Sequence, residues 1–334
     1  DKSIRYTFSY NRENSLENFK KVYYFLLEES EKKLSKKTLE IAAVTGLVNS
    51  LDPYSKYMDA ESFKKSMSET EGIYGGLGMV ITMKDKRLHV VKTIKNSPAQ
   101  RAGIKPDDIF EKINGIAIKK SQVSELADKL RGKPGTKVTI TLSRPSEKKE
   151  YSYTLNREII SIETVEYQTL KNNVGSIKIT SFSKKTNDQL KKVLIIAKQD
   201  KVKGFILDLR NNPGGLLDQS VKIASHFLYH NRLVVYTQGR EPADRHKYRA
   251  KYQNSLHSTP VVILINQHSA SAAEIVAGAL RDSGKALIIG ENSYGKGTVQ
   301  TIFRTSDGSG LRLTTSKYFT PSGTDITSQG IVPE

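Results

Sequence analysis

Apolar positions change their spacing three times along this chain, and each change predicts a different kind of structure. Over residues 15–50 they recur at helical spacing. Leu16, Phe19, Tyr23, Leu26 and Leu27 form one stripe, and Leu39, Ala42, Ala43, Leu47 and Leu51 a second. Ser15 is placed to cap the first helix, and Pro53 stops the second. This segment is expected to be a small helical domain or a dimerisation arm. From about Gly72 the pattern turns to short strands with turn signals: GLGMVITM, RLHVVKTI, DIFEKINGIAI, KVTITLSR and YSYTLNRE, with one helix at Ser121–Leu130. Such a module should form a partly open barrel or sandwich. From about Val174 the rhythm becomes strand-helix-strand, through VGSIKITSF, DQLKKVLIIAKQ, KGFILDLR, TPVVILIN, AAEIVAGALRD and KALIIG. Continuous buried-type strands alternating with helices predict a mostly parallel sheet with helices packed on it.

Composition narrows this picture only a little. With 334 residues the chain has room for two or three domains. Cysteine is absent, which excludes disulfides, thiol catalysis and thiolate metal sites. No apolar run is long enough for a membrane span, and the polar opening DKSIRYTFSYNREN lacks the layout of a signal peptide. Membrane association is expected only through a signal or anchor removed before Asp1. The net charge of +18 raises nucleic acid as a partner. Its lysines, however, are scattered as KK and KxK pairs without aromatic interleaving, which reads as a solvated surface, and no nucleic-acid partner is expected.

The chemistry should lie where strands end and helices begin. In TPVVILINQHSASAAEIVAGAL an apolar strand breaks into small polar residues and resumes as a helix, with Glu274 in its first turn. Ser271 would sit at that helix N-terminus, where free N–H groups favour negative charge; Ser269 or Ser271 could equally be a plain N-cap. In KALIIGENSYGKGTVQTIF, Gly290, Gly295 and Lys296 come close to a phosphate-binding loop. Gly297 stands where Ser or Thr should hold a metal, and the strand-like TVQTIF follows where a helix is required. Lys296 has a better use as a general base for Ser271, since no histidine stands in a usable motif and no GxSxG elbow surrounds the serine. At its ordinary pKa only about 0.04% of a lysine is neutral at pH 7, so a water-excluding site belongs to this reading. A third junction, DLRNNPGGLLDQS, turns through Asn211, Asn212, Pro213, Gly214 and Gly215. Its backbone N–H groups could supply half an oxyanion hole, the N–H of Ala272 being the other half; a strand-helix connection that merely needs glycines is the plainer alternative.

Six motifs in order then carry a resemblance over nearly the whole chain: SLDPYSKYM, YGGLGMVI, NSPAQRAGI, DLRNNPGG, SASAAEIVAGAL and YGKGTVQ. The chain resembles the carboxyl-terminal processing peptidases, or tail-specific proteases. The resemblance implies Ser271 as nucleophile, Lys296 as base, and Gln300 as the residue that orients the lysine; if the lysine lies on a strand, positions four apart share a face. Asp282 is read as structural. His268, Ala273 and Pro213 depart from the family pattern without removing a catalytic group.

The same resemblance divides the chain into a helical N-terminal segment (1–71), a PDZ domain (72–157) and a crotonase-like α/β peptidase core (158–334). In the PDZ domain Gly76, Leu77, Gly78, Met79 and Ile81, with Val123, Leu126 and Leu130, would capture a free apolar C-terminus; for the helix residues ordinary core is the alternative. Arg131 resembles a position that couples tail binding to activation. The implied activity is serine endopeptidase cleavage through an acyl-enzyme in the bacterial periplasm or cell envelope. Protein or peptide substrates with free C-termini are expected, with homodimerisation through the N-terminal helices open, and no metal or cofactor is expected. A catalytically silent PDZ scaffold is the alternative.

Overall fold

A computed structural model describes residues 4, 11–30, 35–118, 123–253, 256–327 and 329–334. The chain packs into two compact units. One draws on 1–65, 237–246 and 297–318, and the other on 66–236, 247–296 and 319–334. Strands distant in sequence join the N-terminal residues, so the units do not follow the three consecutive segments read from the sequence.

In the first unit, the helical opening forms helices Arg12–Ser30 and Lys36–Asn49. Asn11, not Ser15, caps the first, because its Oδ1 accepts the N–H of Glu13 (2.8 Å); Ser35 caps the second. Much of the apolar stripe stays exposed, including Leu16, Phe19, Leu26, Leu47 and Leu51. The SLDPYSKYM motif acquires a physical meaning here. Asp52 accepts the N–H groups of Tyr54 (2.8 Å) and Ser55 (3.0 Å), closing a turn, and the hydroxyl of Thr314 (2.9 Å). This pins strand Lys56–Met58 antiparallel to strand Gly310–Phe319, which also pairs with Thr298–Arg304.

The second unit contains two sheets that matter for function. One has the order Met79–Lys84, Arg87–Thr93, Ile109–Ile113, Lys137–Arg144 and Lys149–Asn156, with Ile116–Ala117 added to the third. Leu88, Val90, Phe110, Leu126, Ile140 and Leu142 fill its core beneath helix Val123–Leu130; the predicted start of that helix at Ser121 lies outside the described residues. Asp108 and Arg144 form a buried bidentate pair (2.7 and 2.8 Å). Strand Met79–Lys84 stands at the sheet edge, with its other side unpaired among the described strands.

The second sheet runs Val165–Leu170, Val174–Ile179, Gly204–Asp208, Val261–Ile265 and Ala286–Gly290 in strict chain order. The first strand is antiparallel and the rest are parallel. Three successive crossovers in one direction, through Thr186–Gln199, Leu217–Ser225 and Ala272–Asp282, must lie on one face if each is right-handed. Burial agrees: Ile177, Leu207, Ile263 and Ile288 are fully buried, whereas alternate positions such as Leu287 and Ile289 are about half exposed. These alternate positions show one well-buried face and one less covered face. Because all four parallel strands point the same way, the loops after Asp208, Ile265 and Gly290 emerge side by side at one sheet edge.

Between two of these helices, His226 donates from Nε2 to Asn187 Oδ1 (3.0 Å) and packs on Tyr252. Burial, aided by the charge of Lys191, pushes its imidazole down to about 4. The unfolded chain, with an ordinary imidazole, therefore binds a proton between about pH 6.5 and 4 that the fold refuses. Stability is expected to fall by about 3 kcal/mol across that window as pH drops. Urea unfolding at pH 7 and pH 4.5 should show this for the wild type, with a smaller drop for His226→Gln.

Candidate active site

The three adjacent loops are cross-tied before any side chain acts. Asn211 and Asn266 exchange bonds, the N–H of Asn211 donating to Asn266 Oδ1 (2.9 Å) and Asn266 Nδ2 to Asn211 Oδ1 (3.0 Å). Buried Asn212 donates to Ile179 O (2.8 Å), and its own carbonyl accepts Ala270 N–H (2.9 Å). Ser269 is fully buried and its hydroxyl donates to Leu209 O (2.8 Å), so this serine is structural. Tyr294 N–H reaches Ser269 O (2.9 Å) and draws in the third loop.

Ser271 differs from its neighbour in conformation. Its φ of 54° and ψ of −114° are far from the extended geometry of an ordinary N-cap. This is a sharp strand-to-helix turn of the nucleophile-elbow type, built without the GxSxG pattern. A non-glycine residue held there stores backbone strain that its surroundings must over-determine.

The residue that does so is Glu274. Its side chain is fully buried. One oxygen, Oε2, accepts both Ser271 N–H (2.6 Å) and Lys296 N–H (3.0 Å); the other accepts Gly295 N–H (2.7 Å) and the Ser293 hydroxyl (2.6 Å). Ser271 and Lys296, from separate junctions, are thereby brought onto a single atom. In the sequence Glu274 was visible only as an acidic residue in a first helical turn. Lys296 itself precedes strand Thr298–Arg304, so positions 296 and 300 do not share a strand face. That strand also stands where a phosphate loop would need a helix. Gln300, in the other compact unit, donates from Nε2 to Thr298 Oγ1 (2.8 Å).

The glycine turn lies against Ser271. A Cβ on Gly214, whose φ is +96°, would stand 2.8 Å from Ser271 Cβ and 2.9 Å from Ala272 N. Gly214 N–H already donates to Asn212 Oδ1 (2.8 Å), so its contribution is room rather than a hydrogen bond. Gly215 bridges to Phe182, with the carbonyl before it and the N–H after it taken up. Its own N–H faces the other way and meets no acceptor among the described residues, as does the N–H of Ala272 in the first helical turn. Asp282 stands at the far end of the helix, roughly 16 Å from Ser271 at 1.5 Å per residue. It pairs with Arg281 (2.9 Å) and accepts Ser322 N–H (2.9 Å); burial raises its carboxyl, but hydrogen bonds from Thr320, Ser322 and Arg281 outweigh this and hold it below the ordinary range.

A second concavity of about 470 Å³ lies along strand Met79–Lys84. Gly76, Leu77, Gly78, Met79 and Ile81 line it, facing Val123, Ala127, Leu130 and Arg131 of the helix and its end. Leu126 does not. It points into the sheet core, 2% exposed, because the groove face follows the i, i+4, i+7 spacing from Val123. The N–H groups of Leu77 and Gly78 have no acceptor among the described residues, while their carbonyls accept Ala99 and Ile94 N–H. Arg131 lies over the Tyr74 ring, 5.3 Å from its centre, and pairs with Asp128 (3.8 Å).

Comparison with known proteins fits this geometry. The model of peptidase family S41 matches residues 173–334, and a PDZ-domain model matches 89–144. A carboxy-terminal-processing protease of Bartonella bacilliformis is 42% identical over 87% of this chain and 68% of its own length. The chain belongs to peptidase family S41. A Staphylococcus aureus protein named as a CtpA-like serine protease is 38% identical over 96% of this chain but only 64% of its own length. The chain thus spans about two thirds of these relatives. A photosystem II D1 C-terminal processing protease superposes with a TM-score of 0.54 at 26% identity, covering 96% of this chain and 91% of that one. An S41 protease from Bacteroides fragilis shares the fold at the same TM-score. The family is one of serine-type peptidases. Among the described residues no cluster of His, Asp or Glu could hold a metal, and no helix is long and apolar enough to cross a membrane.

Placing a methyl group on Gly214 should therefore damage the S41 site without unfolding it. Gly214→Ala is expected to lower peptidase activity by about 100-fold or more, with an unchanged circular dichroism spectrum; wild-type kcat would remove the glycine turn from the site.

Proposed function

We propose that this chain is a carboxyl-terminal processing endopeptidase working through a Ser271–Lys296 dyad. The observation that carries the reading is the meeting of Ser271 and Lys296 amides on one oxygen of Glu274. In the first step Ser271 Oγ attacks the scissile carbonyl and its proton passes to neutral Lys296 Nζ. The N–H groups of Ala272 and Gly215 receive the oxyanion. Collapse breaks the C–N bond, and the lysine ammonium returns its proton to the leaving amine. Water, deprotonated by the same lysine, then attacks the acyl-enzyme and releases the new carboxylate and free Ser271. Gln300 is the candidate for orienting the lysine. No metal or cofactor takes part in these steps.

Substrates are recognised by their tails. The free N–H groups of Leu77 and Gly78 suit a terminal carboxylate, the open edge of Met79–Lys84 suits strand addition, and the apolar groove suits the last side chain. Arg131, stacked on Tyr74 at the groove, is the candidate for coupling occupancy to activity. The exposed apolar faces of the N-terminal helices fit self-association, and the bacterial relatives fit a place in the cell envelope.

Ser271→Ala and Lys296→Ala should each reduce cleavage of a tailed substrate by on the order of 10⁴-fold or more. Amidating the substrate C-terminus should raise KM for the wild type. Full activity in either variant would sink the dyad, and indifference to amidation would sink tail capture; mass spectrometry of the products reads both.

A further inference from the structure

The loop carrying Lys296 is held from behind by the last stretch of the chain. Ser293 is 7% exposed and forms a two-way pair with Ile331: its N–H donates to Ile331 O (3.1 Å), and its Oγ accepts Ile331 N–H (2.6 Å). The same Oγ donates its single proton to Glu274 Oε1 (2.6 Å). The contact is close because Gly330, at φ +69°, has no side chain; a Cβ there would stand 2.4 Å from Ser293 O. Ile331 is fully buried, and its Cδ1 would lie 3.1 Å from a Cβ on Gly278, in the middle of the nucleophile helix. One short segment therefore packs on the helix that presents Ser271 and hydrogen-bonds the loop that presents Lys296.

We propose that Ser293 is a positioning residue of the dyad, relaying the fixed backbone of Gly330–Ile331 to the Glu274 carboxylate. This rests on the Ser271–Lys296 reading. Four donors fix the carboxylate plane, two on each oxygen. Without the Ser293 hydroxyl, Oε1 loses one of its donors and Ile331 N–H loses its acceptor. The carboxylate is then free to turn, and turning moves Oε2, the atom on which Ser271 and Lys296 meet. Glu274 is a positioning residue in the same sense, and glutamine cannot replace it, since an amide nitrogen would present hydrogens to N–H donors. The groove for the substrate tail lies on another sheet and keeps its own hydrogen bonds, so substrate capture is untouched.

The test is steady-state kinetics of the full chain on a tailed peptide, with Ser220→Ala as a control that removes another buried serine hydroxyl, one that donates within its own helix (Leu217 O, 2.7 Å). Ser293→Ala should lower kcat on the order of 10- to 100-fold with KM within about twofold, whereas Ser220→Ala should leave both unchanged. Combining Ser293→Ala with Glu274→Gln should cost no more than Glu274→Gln alone, because both act through one carboxylate. A wild-type kcat in Ser293→Ala, a loss confined to KM, or additive losses in the double variant would each overturn the relay. If Ser293→Ala does not fold, Ser293→Cys, which keeps the volume with only a weak donor, is judged by the same criteria. Ser271→Ala and Lys296→Ala run alongside: activity in either overturns the dyad itself, whereas their inactivity beside an unimpaired Ser293→Ala overturns the relay alone.

Discussion

A carboxylate without solvent contact persists in a fold only when its oxygens are met by donors, and Glu274 is met by four. Three of these are backbone N–H groups from the elbow at Ser271 and the loop Gly295–Lys296, which the sheet itself leaves unpaired. The carboxylate and the amides therefore satisfy each other, and neither side is stable without its partner. The first turn of helix Ala272–Asp282 adds its own positive end, where an acidic side chain is favoured. Everything distinctive about the site follows from this mutual requirement: the left-handed serine, the placement of the lysine loop, and the burial of Ser293 and Ile331 around it.

The sheet supplies the precondition. Strand order that follows chain order sends three consecutive loops out of one edge, so the glycine turn, the elbow and the lysine loop are neighbours before side chains are considered. Asn212, Asn266 and Ser269 then use side-chain groups to close backbone gaps between them, in place of ladder bonds that end with the strands. Gly214 and Gly215 keep the space against Ser271 Cβ and Phe182 O open. The architecture separates two tasks. In the proposed reading, tail recognition would use an open strand edge and an apolar groove on a sheet with its own core, and bond cleavage would use strained backbone on a different sheet.

Periodicity along the sequence determined most of the fold: the helical opening, the short-strand module and the alternating strands and helices of the core all appear near their expected positions. Local chemistry also singled out Ser271, Lys296 and the glycine turn, because a serine among small residues at a helix N-terminus, a lysine between glycines and an NNPGG turn are each odd enough to notice. What the sequence by itself left open was everything decided by distance. Asn11 rather than Ser15 caps the first helix, because the cap depends on where the first turn closes. Leu126 belongs to the core and Ala127 to the groove, because helix rotation depends on packing against the sheet. The elbow formed without its usual motif, because its conformation is imposed by Glu274 and not by flanking glycines. Ser293 reads as a plain loop serine, and Glu274 only as the acid of an S-x-x-E capping box, a pattern that says nothing of the loop it also binds. Only the tertiary structure could join them, since the bonds of the Ser293 hydroxyl span 19 and 38 positions and a hydrogen bond is felt only at contact.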